Sequence, residues 1–364
     1  MQQLFDMPAY KSHVDQRGTK QTIMLGFSDG TKDGGYLKAN WSILKTKESL
    51  SNVCLKNGVK AIFFDGRGGP PARGGGKTHR FYASQTKEIA NNEIQLTIQG
   101  QTITSTYGTK EQFVYNCEQL LTAGLSNDFF EEENIITPNE RSLIEKLSDL
   151  SFEKYDALKH HDKFMPYLEN MSTLKYYTKA NIGSRPGKRG NKAKLELSDL
   201  RAISFVGSWS QLKQNVPGYF GLGTAIKTLK DQGQLEEVKS LYKKVPYFRT
   251  LMSNSMMSLS KCYFELTSYM KEDKEYGEFW TILHNEYQLS KEMLLLISDM
   301  NILMEKEAIS RESIKIRENI VLPLLVIQQY ALQKIGEDSS FKELYEKIVT
   351  RSLYGNINAS RNSA

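Results

Sequence analysis

Residues 63–80 read FFDGRGGPPARGGGKTHR, and six of the chain's 26 glycines fall inside this stretch. The cations Arg67, Arg73, Lys77 and Arg80 are set among them. Glycine lets a backbone come close to a small ligand, and the interleaved positive charge says that the ligand is an anion. Two further segments share this character. SDGTKDGG (28–35) carries Asp29 and Lys32, and GSRPGKRGNKAK (183–194) carries Arg185, Lys188 and Arg189. Asp29 offers a hard oxygen ligand for Mg²⁺ or Mn²⁺. Together with Arg201, these cations offer charge for both a phosphate and a carboxylate.

Three chemistries compete for the glycine-rich stretch. The GGGKT segment resembles the end of a nucleotide phosphate loop, but the leading glycine of that motif would fall at Pro71. Proline has no backbone N–H to offer a phosphate. Arg67-Gly68-Gly69 and Arg73-Gly74-Gly75 are two RGG triplets, yet nucleic-acid-binding tracts of that kind are long and repeated. These two sit between an apolar strand and an aromatic segment. A glycine-rich turn with incidental charge is the bland alternative, weakened by the second loop of similar composition. A doubly anionic substrate held beside a divalent metal fits the combination best.

The elements that must position these groups are legible nearby. TIMLGF (22–27) reads as a short strand, followed by the loop SDGTKDGG. A helix then carries Leu37, Trp41 and Leu44 at helical spacing, with Gly58 as its stop. VKAIFF (59–64) is the next strand and runs directly into the glycine-rich loop. Both charged loops therefore leave the C-terminal ends of strands, the face that carries chemistry in parallel α/β proteins. EIQLTIQG (93–100) alternates like a strand, and LRAISFVGSW (200–209) reads as another, buried one. Thr137, Pro138 and Glu140 form a capping box at the start of a helix whose buried face is Leu143, Leu147 and Leu150. Beyond about residue 220 the pattern is helical to about 352.

The whole chain sets wider bounds. With 364 residues, 39% hydrophobic and 25% charged, it has the composition of a soluble globular protein. Its longest nearly unbroken apolar run, VLPLLVI (321–327), is far shorter than the roughly 20 residues that cross a bilayer. The three cysteines, Cys54, Cys117 and Cys262, are widely spaced and read as reduced, buried residues of a cytoplasmic protein. A net charge of +6 admits anionic ligands without requiring nucleic acid, and neither nucleic acid nor membrane is expected as a partner.

Four blocks, in order and spacing, resemble phosphoenolpyruvate carboxylase: MLGFSDGTKDGG (24–35), FDGRGGPPARGGG (64–76), GSRPGKR (183–189) and LRAI (200–203). The terminal RNSA is similar to that family's last residues. The resemblance implies carboxylation of phosphoenolpyruvate by bicarbonate, giving oxaloacetate and phosphate on Mg²⁺ or Mn²⁺. It is to the C-terminal portion of a longer enzyme. The family's T-A-H-P-T-E segment, with its catalytic histidine, has no counterpart among His13, His79, His160, His161 and His284. A second metal carboxylate would precede Met1, so the isolated chain is expected to be inactive.

Position by position, the resemblance makes Asp29 a metal ligand and Arg67 the holder of bicarbonate or CO₂. Arg185 and Arg201 would clamp phosphate with Lys32 nearby. Lys188 and Arg189 would ride a mobile basic loop, and Met24 would line an apolar pocket for substrate and CO₂. Arg73, Lys261, Arg317 and Asn362 match the positions at which aspartate or malate inhibits the family. The departures are Asp65 where the family has histidine, Lys77 and Ala364 for a proline and a glycine, and the absence of P-W after LRAI.

The fold implied is α/β but predominantly helical. Residues 1–215 would form the C-terminal part of a (β/α)₈ barrel, with about four strands. Residues 216–364 would form a helical region with the effector-site tail. Open sheet edges make self-association expected, and full-length members of the family form tetramers. A non-catalytic aspartate- or malate-binding module is the alternative from another class.

Overall fold

The computed structural model describes residues 1–89, 93–98, 101–129, 134–179, 196–337 and 340–360. Two helices, α1 (Gln2–Phe5) and α2 (Pro8–Gln16), lead into strand β1 (Lys20–Leu25). Helices α3 (Phe27–Gly34) and α4 (Tyr36–Lys56) cross over to β2 (Lys60–Asp65). After a 3₁₀ turn at Pro71–Arg73 and α5 (Thr78–Ala83), β3 (Ile94–Leu96) completes a three-stranded sheet of order β1-β2-β3. Both pairings are parallel, with Leu25 opposite Asp65 and Asp65 opposite Leu96. Central β2 buries Ala61, Ile62 and Phe63, as expected for a strand covered on both faces. Outer β1 stays half-exposed along its length.

The remainder is helical: α6 (Gln101–Tyr107), α7 (Lys110–Phe129), α8 (Pro138–Lys159), α9 (Phe164–Met171) and α10 (Leu174–Lys179). Then come α11 (Ala202–Gln211), α12 (Leu222–Asp231), α13 (Leu235–Lys244), α14 (Pro246–Ser260), α15 (Gly277–Ser298), α16 (Ala308–Glu337) and α17 (Lys342–Ser360). Helix α8 starts with the expected capping box. Glu140 N donates to Thr137 Oγ1, and Thr137 N donates to Glu140 Oε2 at 2.8 Å. Leu147 of its predicted face is fully buried, while Leu143 and Leu150 pack partly buried against the core. The main apolar cluster draws on both halves of the chain: Phe81 meets Tyr247, whose hydroxyl donates to Asn40 O at 2.7 Å.

Two sequence expectations are overturned. Residues 200–209 are no strand: the segment turns at Arg201 and becomes α11. This helix is enclosed nearly all round, with Ala202, Phe205, Val206, Trp209 and even Gly207 and Gln211 buried. Its apolar run therefore shows no helical stripe, and a short run of that kind cannot be told from a buried strand by periodicity. SDGTKDGG is likewise no loop but most of α3. Gly30 brings α3 close enough that a Cβ there would lie 3.5 Å from that of Ala39, so packing on α4 outweighs poor helix propensity. Gly35, at φ 75°, then makes the turn between the two helices. With 200–209 helical, three strands rather than four are present among the described residues.

Candidate active site

The C-terminal ends of β1 and β2 lie side by side, where Met24 pairs with Phe64 and Gly66 N donates to Leu25 O at 3.0 Å. From this edge the glycine-rich segment folds back on itself as a closed loop. Gly68 N donates to Arg73 O, Gly75 N to Pro70 O and Gly76 N to Gly69 O, at 2.9–3.2 Å. A Cβ at Gly75 would overlap the carbonyl oxygens of Gly68 and Gly69, which accounts for glycine there. Ser28 Oγ donates to Arg73 O at 3.0 Å, and Asn254 of α14 accepts from Lys77 N at 3.3 Å. The loop is thus pinned between α3 and α14. Pro71 accepts from Gly74 N and closes the 3₁₀ turn, a structural use rather than a phosphate cradle.

Arg67 is the feature this scaffold isolates. The residue is 7% exposed, and Nε, Nη1 and Nη2 all lack a hydrogen-bond partner among the described residues. Its guanidinium carbon sits 3.9 Å from the ring centre of Phe81 and 5.7 Å from that of Phe27. Aromatic faces favour a cation there but satisfy none of its N–H donors. Buried donors are normally paired, and among the described residues nothing pairs with this one. Burial pushes the Tyr36 hydroxyl up to about 12, against the pull of the nearby Arg67 charge and a hydrogen bond from Asn254.

Asp65, where the resemblance leads one to expect histidine, is wholly buried. Its Oδ2 accepts from Lys47 Nζ at 2.5 Å and from Tyr82 OH at 2.6 Å. Lys47, on the buried face of α4, is 1% exposed and lies 5.1–5.9 Å from the rings of Phe27, Phe63, Phe81 and Tyr82. Burial pulls its ammonium below the ordinary lysine value; Asp65 acts against that shift and Arg67 with it. Sequence reasoning missed Lys47. The signal was its register with Asn40, Leu44, Ser51 and Cys54 on the inward face of α4.

The other predicted residues are placed as follows. Asp29 is exposed in the first turn of α3, and Met24 is 65% exposed at the end of β1. The methyl carbon of Met24 would lie 3.6 Å from a Cβ at Gly66. Lys32 is buried and already engaged: it pairs with Asp33 at 2.6 Å and donates to Leu197 O at 3.4 Å. Arg201 precedes α11, which packs on α3 and the 3₁₀ turn, and its Nε is buried without a partner among the described residues. Burial lowers the Arg73 guanidinium, partly opposed by Tyr177. Arg185, Lys188, Arg189 and Asn362 lie outside the described residues.

A second cationic cluster stands at the end of α14. Lys261 caps that helix and is 9% exposed. Burial, then the positive charge of Lys213, bring its ammonium down to about 8, with Glu318 opposing and Arg317 assisting. Lys213 itself is paired with Glu318 of α16. Lys261 and Arg317 of the expected effector set are therefore neighbours. Lys213 and Glu318 were not foreseen.

Among the described residues no cluster of three or more His, Cys, Asp or Glu could hold a metal. Mg²⁺ binds through one or two carboxylates and retains water, and Asp29 fits as one such ligand. A cavity of about 1220 Å³ opens instead beside Lys45, Glu48, Lys60 and Arg141. Lys60 begins β2, so this cavity is at the opposite strand end from Arg67. Within it Glu48 is already bound by Arg141 and accepts from Thr86.

Parallel strand ends, a closed glycine loop and a buried guanidinium without a partner define an α/β protein with a candidate site for a small anion. The phosphoenolpyruvate carboxylase family model matches residues 1–360. A phosphoenolpyruvate carboxylase of Corynebacterium glutamicum is 32% identical over 373 residues, covering 99% of this chain and 40% of that protein. One from Prochlorococcus marinus subsp. pastoris is 31% identical, covering 96% of this chain and 37% of its own length. One from Corynebacterium diphtheriae is 31% identical, with 100% and 41% covered. The chain belongs to the phosphoenolpyruvate carboxylase family and spans about two fifths of the length of these relatives. Among the described residues no helix is long and apolar enough to cross a membrane.

Proposed function

We propose that this chain supplies the arginine-bearing C-terminal part of a phosphoenolpyruvate carboxylase active site. There, bicarbonate and phosphoenolpyruvate give oxaloacetate and phosphate. The observation that carries the reading is Arg67: a buried guanidinium whose three nitrogens have no partner among the described residues, just past a strand end, in a chain of this family. Arg67 holds bicarbonate and the CO₂ derived from it, and its planar fork matches a carboxylate-like anion. Arg201, with Arg185, Lys188 and Arg189, balances the phosphate charge, while Met24 gives the site an apolar wall. Lys32 acts by position, tying α3 to residue 197 just ahead of Arg201. Asp29 is one ligand of Mg²⁺ or Mn²⁺, which when bound supplies Lewis acidity toward an anionic oxygen.

The three parallel strands belong to a (β/α)₈ barrel whose other strands lie elsewhere in the longer enzyme. Its outer strand β1 then needs a neighbour, so the isolated chain self-associates. Light scattering tests this, with a monodisperse monomer as the contrary result. Without the family's catalytic histidine segment the chain alone makes no oxaloacetate. An assay coupled to malate dehydrogenase checks this, and bicarbonate-dependent turnover would refute it.

The cluster of Lys213, Lys261, Arg317 and Glu318 favours a second function, binding of aspartate or malate with Arg73 and Asn362 contributing. Calorimetry with aspartate separates the two functions. Binding of aspartate without affinity for phosphoenolpyruvate or bicarbonate makes the chain a sensing module only.

A further inference from the structure

Asp65 ends β2 and Arg67 follows two residues later, and both side chains are buried. A carboxylate and a guanidinium in that relation are natural ion-pair partners, bidentate when the geometry allows. Here they are not paired. Asp65 spends Oδ2 on Lys47 and Tyr82, and among the described residues its Oδ1 and every guanidinium nitrogen of Arg67 have no hydrogen-bond partner. The two cations share the faces of Phe27 and Phe81, so they occupy one pocket. A buried carboxylate must have a counter-charge, and either cation could serve.

We propose that Lys47 is a positioning residue for Arg67: it takes Asp65 as its own counter-ion within the core and keeps that carboxylate off the guanidinium, which stays open to an anion. The inference rests on the reading of Arg67 as the anion-holding group. Three features support the division of labour. Lys47 comes from the long helix α4, whose inward face fixes its Nζ beneath the sheet end. Tyr82 OH bonds the same oxygen and so orients the carboxylate toward Lys47. Arg67 sits over the ring of Phe81, a contact that holds the guanidinium without consuming its donors. Removing Lys47 would leave Arg67 as the cation for Asp65 to recruit.

The test titrates inorganic phosphate and bicarbonate into the unsubstituted chain, Lys47→Met, Asp65→Asn and the double variant Lys47→Met/Asp65→Leu. Lys47→Met is expected to weaken anion binding tenfold or more. Asp65→Asn should not weaken it, and the double variant should return to within about threefold of the unsubstituted chain, because no carboxylate remains to capture Arg67. Equal losses in Lys47→Met and the double variant, or no loss in either, would overturn the proposal in favour of a packing role. Should Lys47→Met fail to fold, Lys47→Gln takes its place under the same expectations. Crystal structures of the Lys47 variant read the geometry without any ligand. An Arg67–Asp65 ion pair supports the inference, and Arg67 unmoved over Phe81 refutes it. If the unsubstituted chain binds neither anion, the anion-holding reading of Arg67 fails, and the crystal structures still decide what Lys47 does.

Discussion

Two buried cationic regions stand in this molecule, and they treat their carboxylate differently. At the end of β2, Asp65 is drawn aside by Lys47 and Tyr82, and Arg67 is left bare. At the end of α14, Glu318 sits among Lys213, Lys261 and Arg317 and pairs with Lys213. At the second region burial, then the positive charge of Lys213, brings the Lys261 ammonium down to about 8. On the reading proposed above, an anion holder is left open by drawing a competing carboxylate aside, whereas a cluster of lysines around one carboxylate gives a holder that pH can weaken.

The sharpest way to break this contrast is Arg67→Ala. Phosphate and bicarbonate affinity of the chain, and oxaloacetate formation by the full-length parent, should each drop by at least about a hundredfold, with the fold intact by circular dichroism. Retained turnover would remove Arg67 from the mechanism. Next in size is the stability cost of taking Lys47 from Asp65. Lys47→Met should cost about 1–3 kcal/mol in urea unfolding, because the buried carboxylate loses its Lys47 hydrogen bond and must draw Arg67 across instead. Lys47→Met/Asp65→Leu should recover most of it, and equal costs would show that the pair is not coupled. Gly75→Ala probes the loop alone. Its Cβ has no room beside Gly68 and Gly69, so a loss of about 1–3 kcal/mol is expected, along with weaker phosphate binding.

The second region offers smaller effects. Aspartate affinity should decline as pH rises through about 8, as Lys261 gives up its proton, and Lys261→Met should abolish that dependence. Stability moves the other way. The folded-state value lies below the ordinary lysine value of 10.5, so the unfolded chain binds the extra proton between about 8 and 10.5. Lys261 therefore adds stability as pH rises through that window, at a slope of at most about 1.4 kcal/mol per pH unit. The difference in thermal midpoint between the unsubstituted chain and Lys261→Met, followed across the window, measures it. Last, Glu318→Gln releases Lys213 and should tighten aspartate binding a few-fold, by calorimetry at constant pH.

Much of this could be read from the residues before any fold was known. The β–α–β start, the capping box at Thr137 and Glu140, and the glycine loop after a strand are local signals carried by neighbours in sequence. The loop's glycines stand where close backbone approach requires them. Family membership followed from four spaced blocks and holds over residues 1–360. What misled was local too. SDGTKDGG looks like a loop and folds as α3, and LRAISFVGSW looks like a strand and folds as α11. In both, packing against other helices outweighed the propensities of the segment itself: α3 on the neighbouring α4, and α11 on the more distant α3.

The sequence by itself determined that a strand would deliver Arg67 on a glycine-rich turn, because strand patterning and glycine's steric freedom act within a few residues. It also marked Asp65 as the odd residue of that turn. Only the tertiary structure decided what Asp65 does, since its partners Lys47 and Tyr82 lie 18 and 17 residues away on two different helices. A buried charge is defined by what surrounds it in space, and that enclosure exists only once α4 and α5 have packed against the end of β2.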